Sequence, residues 1–327
     1  MRVAVTGGTG VVGSALVGRL VESGAEVRAL HRSQVGRERL ASAGAEPVAG
    51  DVLDYDSIRS LVDGCERVFH VAGVNEVCSP RPGLMRRVNV EGSRVVMGAC
   101  RDAGVCRMIH TSSAATIGEE RGGTATESTR RRGGYLSHYE RSKAEAERVV
   151  LGGPGGPDVV AVNPSSVQGP GRATGAGALV LAAARGRLPF AVDADISVVD
   201  IDDCARGHLL AAERGEPGER YLLCGATLSM REALRMVSEV VGRDVTPRFV
   251  GAGLLKVVGG IVGGAYRLVG RRAPICREAA RVMVHGRRCD GGRAARELGL
   301  EYTPVEDTLR RTIAWFRESG LLPQSVS

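Results

Sequence analysis

The sequence predicts an α/β fold in which a doubly wound parallel sheet carries a smaller, mostly helical C-terminal lobe. The main observation is an alternation of short β-like runs with helical periods through the first half of the chain. Helices of this length between successive strands are typical of a parallel sheet covered by helices on both faces. A glycine turn directly after the first strand and a looser pattern beyond residue 164 are the other two observations.

The predicted strands of the first half are short and apolar, and a turn follows each of them. They span residues 2–5, 26–31, 46–52, 67–73, 106–113 and 158–164. Helical periods fill the intervals, with a first helix that runs through Gly24 and later helices at 56–64, 84–104 and 137–151. The last of these is rich in glutamate and alanine, which are good helix formers. Residues 1–164 are therefore predicted to form the sheet core.

The second half is predicted to interleave with this core. Residues 165–178 form a glycine-rich loop, and the runs 196–203 and 219–225 resemble two more strands that return to the sheet. Helices dominate from residue 226. We expect the segment from about 191 to 225 to belong to the core. Residues 165–190 and 226–327 are then expected to form a substrate-binding lobe, in which the apolar stretch 251–270 is an amphipathic helix over a cleft.

The overall composition favours an enzyme with anionic ligands over a nucleic-acid binder. The net charge is +7 and aromatic residues make up only 3% of the chain, so no stacking platform for single-stranded nucleic acid is evident. Charged residues within 251–270 argue against stable membrane insertion. No leader is visible after Met1, and a cytoplasmic protein is expected.

The cysteines give no sign of a metal site. The eight residues form no C-x-x-C pair and have no histidine at zinc-ligand spacing. We expect all of them to be reduced, mostly buried thiols, and we expect no bound metal. They are Cys65, Cys78, Cys100, Cys106, Cys204, Cys224, Cys276 and Cys289.

The segment TGGTGVVG (6–13) joins the first strand to the first helix. Gly7, Gly10 and Gly13 are spaced three apart. Glycines in such a turn let backbone N–H groups approach a pyrophosphate at the helix N-terminus. Because strand, turn and helix occur in the required order, the segment predicts a dinucleotide site in a Rossmann-type core.

The end of the second strand indicates which dinucleotide binds. An acidic residue there would hold the ribose 2′-hydroxyl of NAD, but this strand ends in His31 and Arg32. A guanidinium can instead bind a 2′-phosphate through two hydrogen bonds. We therefore expect NADP(H) to be preferred, with Arg32 as the main contact and Arg37 as a second. NAD(H) remains an alternative, in which Arg32 is simply a solvated surface residue.

A lysine stands out in this arginine-rich chain. Of the 44 basic residues only Lys143 and Lys256 are lysines, and Lys143 follows Tyr139 by one helical turn. A compact ammonium there would lower the pKa of the phenol, which is ordinarily too high for acid–base chemistry at neutral pH. The segment TSS (111–113) ends a neighbouring strand and brings a hydroxyl to the same edge of the sheet.

These motifs together resemble the extended short-chain dehydrogenases/reductases, the NAD-dependent epimerase/dehydratase-like superfamily. TGGTGVVG is similar to its glycine motif, Tyr139 and Lys143 to its Tyr-x-x-x-Lys, and Ser113 in HTSSAATIG to its catalytic serine. HVAG (70–73) is similar to its N-N-A-G-like strand end. The resemblance extends from Met1 to about Phe316 and is greatest to dihydroflavonol 4-reductase-like and hopanoid-associated sugar-epimerase-like members.

The resemblance implies a division of labour among the site residues. Ser113 and Tyr139 hold a carbonyl oxygen, Tyr139 transfers the proton, and Lys143 holds the nicotinamide ribose. Asp51 contacts adenine, with capping of a helix as the alternative, and the 163–164 segment holds the carboxamide. All residues expected to contact the cofactor are Gly7, Thr9, Gly10, Val11, Val12, Gly13, His31, Arg32, Arg37, Asp51, Val52, Val71, Ala72, Gly73, Thr111, Tyr139, Lys143, Asn163, Pro164 and Ser166.

Several polar residues are given structural roles instead. Asn89 is expected to bond the backbone of a neighbouring strand, His110 to be a packed core histidine, and His138 to face away from the site. The acidic cluster of Asp200, Asp202 and Asp203 has no accompanying histidine and is expected to cap the following helix.

Three functions stay open at this point. The leading one is an NADP(H)-dependent oxidoreductase that acts on a carbonyl or secondary alcohol of a small organic substrate, as a homodimer. The second is a nucleotide-sugar epimerase with tightly bound cofactor, and the third is a non-catalytic NADP(H) sensor. Dehydration is not expected, because Ala114 and Ala115 stand where sugar dehydratases carry an Asp-Glu pair.

Overall fold

The computed structural model describes residues 1–153, 155–271 and 273–324. Its strands are short, as expected for a sheet buried on both faces. In chain order they are β1 Arg2–Thr6, β2 Glu26–His31, β3 Glu46–Ala49, β4 Arg67–His70, β5 Arg107–Thr111, β6 Thr124–Ala125, β7 Asp158–Pro164, β8 Ser166–Gln168, β9 Phe190–Ala191, β10 Asp195–Asp200, β11 Arg220–Leu223, β12 Ala226–Ser229, β13 Arg248–Phe249 and β14 Arg288–Cys289.

Helices follow nearly every strand of the first half and dominate the second. They are α1 Val11–Glu22, α2 Gln34–Ser42, α3 Tyr55–Val62, α4 Pro82–Arg86, α5 Gly92–Asp102, α6 His138–Leu151, α7 Ala176–Ala184, α8 Ile201–Arg214, α9 Met230–Val241, α10 Ala252–Leu268, α11 Arg277–His285 and α12 Val305–Glu318. The helix predicted over 84–104 is interrupted by a π-helical turn, Arg87–Glu91, between α4 and α5.

The predicted parallel sheet is confirmed. Seven parallel strands lie in the order β11-β7-β5-β4-β1-β2-β3. One face packs on an apolar cluster that includes Leu16 and Leu20 of α1, and the other on a cluster that includes Ile58 of α3 and Val96 of α5. The chain order reverses between β1 and β4, so the carboxyl ends of these two strands border the crevice where such sheets bind ligands.

The second half departs from the prediction for one returning strand. β11 joins the main sheet beside β7, as expected. The run 196–203 does not: β10 lies between β8 and β12 in a separate three-stranded sheet. Its last three predicted residues begin α8, because the Asp200 carboxylate accepts a hydrogen bond from Asp202 N and starts the helix. The predicted loop 165–178 likewise contains β8 and the first turn of α7.

The C-terminal lobe has an apolar core of its own. Leu181 of α7, Leu234 of α9 and Phe316 of α12 belong to one buried cluster. The predicted helix within 251–270 is present as α10 and packs against α11. Within the described ranges, no helix combines the length and apolar character that a membrane crossing requires.

The expectation that every cysteine is reduced is wrong for two of them. Cys78 and Cys276 form a disulfide with their Cα atoms 5.7 Å apart. Cys78 lies in the loop after β4 and Cys276 caps α11, so the bond links the sheet core to the C-terminal lobe. The remaining cysteines are free thiols, and among them only Cys106 is exposed. A separation of 198 residues left no spacing signal in the sequence.

Candidate active site

The glycine turn is packed too closely for side chains. Gly7 has a φ of +75°, and a Cβ at this position would lie 2.6 Å from the backbone nitrogen of Ala72. A Cβ on Gly13 would lie 2.1 Å from the Gly7 carbonyl oxygen. The turn therefore lies directly against the end of β4 and opens α1 with bare backbone amides. This cradle fits a pyrophosphate at a helix N-terminus.

A buried hydrogen-bond network fixes the two strand ends beside this turn. Thr6 Oγ1 lies 2.8 Å from His70 Nδ1 and accepts from Ala72 N at 3.2 Å, and His70 Nε2 lies 3.0 Å from Ser93 Oγ. Burial, and then the charge of Lys143, lower the pKa of His70 to about 3. His70 is thus a neutral linker between β4 and α5. This role could not be predicted from the sequence, in which His70 is only a histidine near a strand end.

The end of β2 brings together the residues expected to select the dinucleotide. The side chain of Arg32 is 75% exposed and its Nη1 lies 3.8 Å from Asp51 Oδ2. His31 Nδ1 lies 3.1 Å from the Ser33 carbonyl oxygen, and Ser33 caps α2. Asp51 also accepts from the backbone nitrogen of Leu53 at 2.9 Å. The guanidinium is free to turn toward a ligand at the cost of one weak surface ion pair.

Tyr139 and Lys143 lie in the first two turns of α6, which Ser137 caps. The ammonium of Lys143 is buried and donates to the Thr111 carbonyl oxygen at 2.6 Å. A Cβ on Gly73 would lie 3.5 Å from the same Nζ atom, so the lysine lies between the ends of β4 and β5. Burial lowers the pKa of Lys143 to about 8, although the charge of Glu147 opposes this shift.

Ser113 follows β5 and lies beside Tyr139. Its hydroxyl accepts from Ala115 N at 3.2 Å at the start of a short 3-10 turn. Burial raises the pKa of the Tyr139 phenol, while a hydrogen bond with Ser113 and then the charges of Arg172 and Arg287 act to lower it. The pKa of Tyr139 is therefore raised and not lowered as expected, because burial is the largest effect on it. Lys143 donates its hydrogen bond to the Thr111 carbonyl oxygen.

The two arginines beside Tyr139 come from the second half of the chain. Arg287, next to β14, donates from Nη1 to the Ala114 carbonyl oxygen at 2.6 Å. Arg172 lies in the loop before α7, and burial lowers its pKa. The sequence did not point to either residue, because both lie in segments without a recognisable motif and reach the site only through tertiary packing.

A buried polar cluster packs against the short 3-10 turn that follows Ser113 and holds it in place. The Asn163 side chain is fully buried, and its Nδ2 donates to Glu147 Oε2 at 2.6 Å, to Thr116 Oγ1 at 2.9 Å and to the Ser113 carbonyl oxygen at 3.2 Å. Arg220 pairs with the same glutamate at 3.1 Å. The amide nitrogen of Asn163 is thus bonded inside the protein, while its Oδ1 is buried and has no hydrogen-bond partner among the described residues. The sequence analysis did not identify Glu147, one turn after Lys143, as part of the site.

The residues given structural roles differ in outcome. His110 is buried as expected, Asn89 bonds the loop after β4 instead of a strand, and Asp200 alone of the acidic cluster caps α8. Asn89 accepts from Val74 N at 2.7 Å and donates to Val74 O at 3.1 Å and to Ser142 Oγ at 2.9 Å. His110 is buried, and burial lowers its pKa far below the ordinary value. Asp200 caps α8. Within the described residues, no group of acidic, histidine and cysteine side chains is arranged to hold a metal ion.

Comparisons with known proteins agree with the predicted family. The model of the NAD dependent epimerase/dehydratase family matches residues 3–224. Sterol demethylase protein B of Methylococcus capsulatus is 34% identical over 98% of this chain and 100% of its own length. A putative dihydroflavonol 4-reductase of Synechocystis is 30% identical, covering 97% of this chain and 94% of its own length.

A solved structure shares the whole architecture. The protein called gox2253 superposes with a TM-score of 0.86 at 34% identity, covering 98% of this chain and 99% of that one. One assignment follows from the glycine cradle, from the strand ends beside it, and from similarities that extend over nearly the full length of the chain. The chain belongs to the NAD dependent epimerase/dehydratase family and is a nicotinamide-dependent oxidoreductase.

Proposed function

We propose that this protein is an NADP(H)-dependent oxidoreductase that reduces a carbonyl, or oxidises a secondary alcohol, of a small organic substrate. The observation that carries the proposal is the convergence of Ser113, Tyr139 and Lys143 at the ends of β5 and β4, beside the glycine cradle. A non-catalytic sensor of the NADP(H) ratio would have no use for such a set.

Each residue has a distinct task in this proposal. Ser113 and Tyr139 orient the carbonyl oxygen of the substrate, and Tyr139 Oη donates the proton that the forming alcohol needs. The bound nicotinamide supplies the hydride. Lys143, which is buried against the Thr111 carbonyl, would hold the ribose hydroxyls. Asn163 and Glu147 act as positioning residues that hold the serine turn in place.

The electrostatics of Tyr139 favour reduction at neutral pH. Burial raises the pKa of the phenol, so the proton remains on Oη and is available to a substrate. Arg172 and Arg287 supply positive charge that would stabilise the phenolate left after the transfer. Alcohol oxidation, which needs the phenolate as a base, is then expected to be faster at higher pH.

The NADP(H) preference rests on Arg32, which follows β2, and on Arg37 in α2. Both side chains are exposed, and among the described residues only the Asp51 carboxylate, 3.8 Å from Arg32 Nη1, pairs with Arg32. A 2′-phosphate offers two negative charges and bidentate geometry, which would outcompete that contact. Adenine contact by Asp51 remains part of the proposal.

The names of related proteins suggest an apolar carbonyl compound as substrate. They include a farnesylated dihydroquinoline-oxide ketoreductase of Stigmatella aurantiaca and a 2-alkyl-3-oxoalkanoate reductase of Shewanella oneidensis. We infer that residues 165–190 and 226–327 bind it. Homodimerisation and a cytoplasmic location stay predictions.

An epimerase is the second candidate. A UDP-glucose 4-epimerase of Streptomyces lividans is 31% identical over 74% of this chain. Such an enzyme regenerates its cofactor in every turnover, whereas a reductase consumes NADPH. Net consumption of NADPH during turnover therefore distinguishes the two candidates.

The test is a turnover assay with NADPH and a panel of ketones that includes a keto sterol, a 2-alkyl-3-oxoalkanoate and a dihydroflavonol. Tyr139→Phe should lower turnover by roughly 10²- to 10⁴-fold, the usual range for losing a proton donor. Tyr135→Phe is the matched control, because its hydroxyl only accepts from Arg148 at 2.8 Å on the protein surface. Equal turnover in Tyr139→Phe and Tyr135→Phe would remove Tyr139 from the mechanism.

A further inference from the structure

A large share of the exposed apolar surface is concentrated on α10 and the turn after it. Thirteen large hydrophobic side chains of the described residues are exposed, and eight of them lie between residues 254 and 283. Leu254 is 59% exposed, Val257 59%, Ile261 69% and Leu268 90%. Single exposed apolar residues are common, but a contiguous group of this size marks an interaction surface.

The helix is oriented so that its bulky side chains point outward. Leu254, Val257, Val258 and Ile261 are spaced i, i+3, i+4 and i+7, which places them on one face. The opposite face carries glycines: a Cβ on Gly259 would lie 2.8 Å from the Cys276 carbonyl oxygen. The close packing against the start of α11 therefore requires glycine and leaves the large residues in solvent.

The same surface is strongly basic. Among the residues of 251–283 whose side chains the structure describes, four are basic, namely Lys256, Arg271, Arg277 and Arg281, and one is acidic, Glu278. A groove between α10 and α11 is lined by Lys256, Arg277 and Arg281 together with Val257, Gly260 and Ile261. In the part of the chain that the structure describes, none of these three cations has a carboxylate within 4.0 Å. Glu278 is instead turned toward His138, 3.3 Å from its Nε2.

We propose that α10 docks on a membrane surface that contains anionic phospholipids. Its apolar face would enter the boundary between headgroups and acyl chains, and the groove cations would contact headgroup phosphates. The exposed apolar residues suit the acyl chains of such a lipid, and the neighbouring groove cations suit its anionic headgroup. The helix would lie in the plane of the membrane, which requires no crossing segment.

Charge argues against a second copy of the chain as the occupant. A two-fold interface pairs the same patch with itself, so Lys256, Arg277 and Arg281 of each copy would lie near the same three cations. The residues that line the groove include no acidic side chain that would offset this repulsion. An anionic lipid surface supplies the complementary charge without any change in the protein.

Vesicle sedimentation with the full chain tests the proposal, and it requires no catalytic activity. The protein should bind vesicles of phosphatidylcholine mixed with phosphatidylglycerol, bind pure phosphatidylcholine far less, and dissociate at high salt. Replacing Lys256, Arg277 and Arg281 together by alanine should weaken partitioning by roughly a hundredfold, since each cation near an anionic surface contributes a factor of about five.

A matched pair of variants tests how much the exposed apolar residues of α10 contribute to vesicle binding. Val257→Glu should abolish binding, whereas Val35→Glu, at a site that is 57% exposed on α2, should leave it unchanged. Equal loss in the two variants, or equal binding to both kinds of vesicle, would overturn the proposal. So would a dimer that Val257→Glu dissociates in the absence of vesicle binding, because a second copy would then cover the face.

Discussion

Lys143 offers a quantitative test, because the structure buries a charge to which the proposed function gives a role. Replacing Lys143 by methionine keeps an unbranched side chain that is one atom shorter, and it removes the titrating group. Burial lowers the pKa of this lysine from 10.5 to about 8. The side chain is only 6% exposed, so solvent screens this effect little.

The sign of the pH dependence follows from the pH at which Lys143 loses its proton in the folded and in the unfolded protein. Below pH 8 both states are protonated, and burying the charge lowers the free energy of unfolding. Between the folded-state pKa of about 8 and the unfolded value of 10.5, the unfolded chain holds a proton that the folded chain has lost. Stability therefore rises with pH in this window. A shift of this size corresponds to roughly 3 kcal/mol.

The assay is urea unfolding of the parent protein and Lys143→Met at a series of pH values. The free energy of unfolding of the parent minus that of the variant should rise by roughly 3 kcal/mol across the window, then level off. Lys256→Met removes the chain's other lysine from an exposed position on α10 and supplies the baseline. A difference that stays flat, or that Lys256→Met reproduces, would refute a buried and destabilised ammonium at residue 143.

Three further results are expected. Arg32→Asp should reverse a preference for NADPH over NADH measured by fluorescence titration, and equal affinities in the parent protein would contradict the 2′-phosphate argument. Gly13→Ala should abolish binding of either dinucleotide while the protein stays folded by circular dichroism, because its Cβ would lie 2.1 Å from the Gly7 oxygen; unchanged affinity would exclude a cofactor at this turn. Cys78→Ser should lower the free energy of unfolding by about 2–4 kcal/mol and the exposed-thiol control Cys106→Ser should not; equal stability would mean that the disulfide contributes nothing.

Local sequence patterns were sufficient for the sheet core. Strand runs, helical periods and the glycine spacing each depend on a few consecutive residues, and the seven-stranded parallel sheet confirms them. The run 196–203 was misplaced because its hydrophobic pattern suits a strand in either sheet. Its actual partners, β8 and β12, are set by packing of the C-terminal lobe.

The electrostatic surroundings of the site were less accessible to sequence reasoning. The spacing of Tyr139 and Lys143 indicated a shared helix face, but it did not reveal that the lysine ammonium bonds the Thr111 carbonyl. The cations that act on the phenol are Arg172 and Arg287, which are 33 and 148 residues away in the sequence. The disulfide between Cys78 and Cys276 was missed for the same reason, since tertiary packing alone brings its partners together.

The most direct test of the proposed chemistry is to follow deuterium from NADPH labelled at the transferring position of the nicotinamide. The enzyme is incubated with a ketone that it consumes, and the product is analysed by mass spectrometry. We expect one deuterium on the carbinol carbon for each NADP⁺ formed, and a rate in Tyr139→Phe lower by roughly 10²- to 10⁴-fold. A product without label, formed with no net loss of NADPH, would contradict it and favour an epimerase.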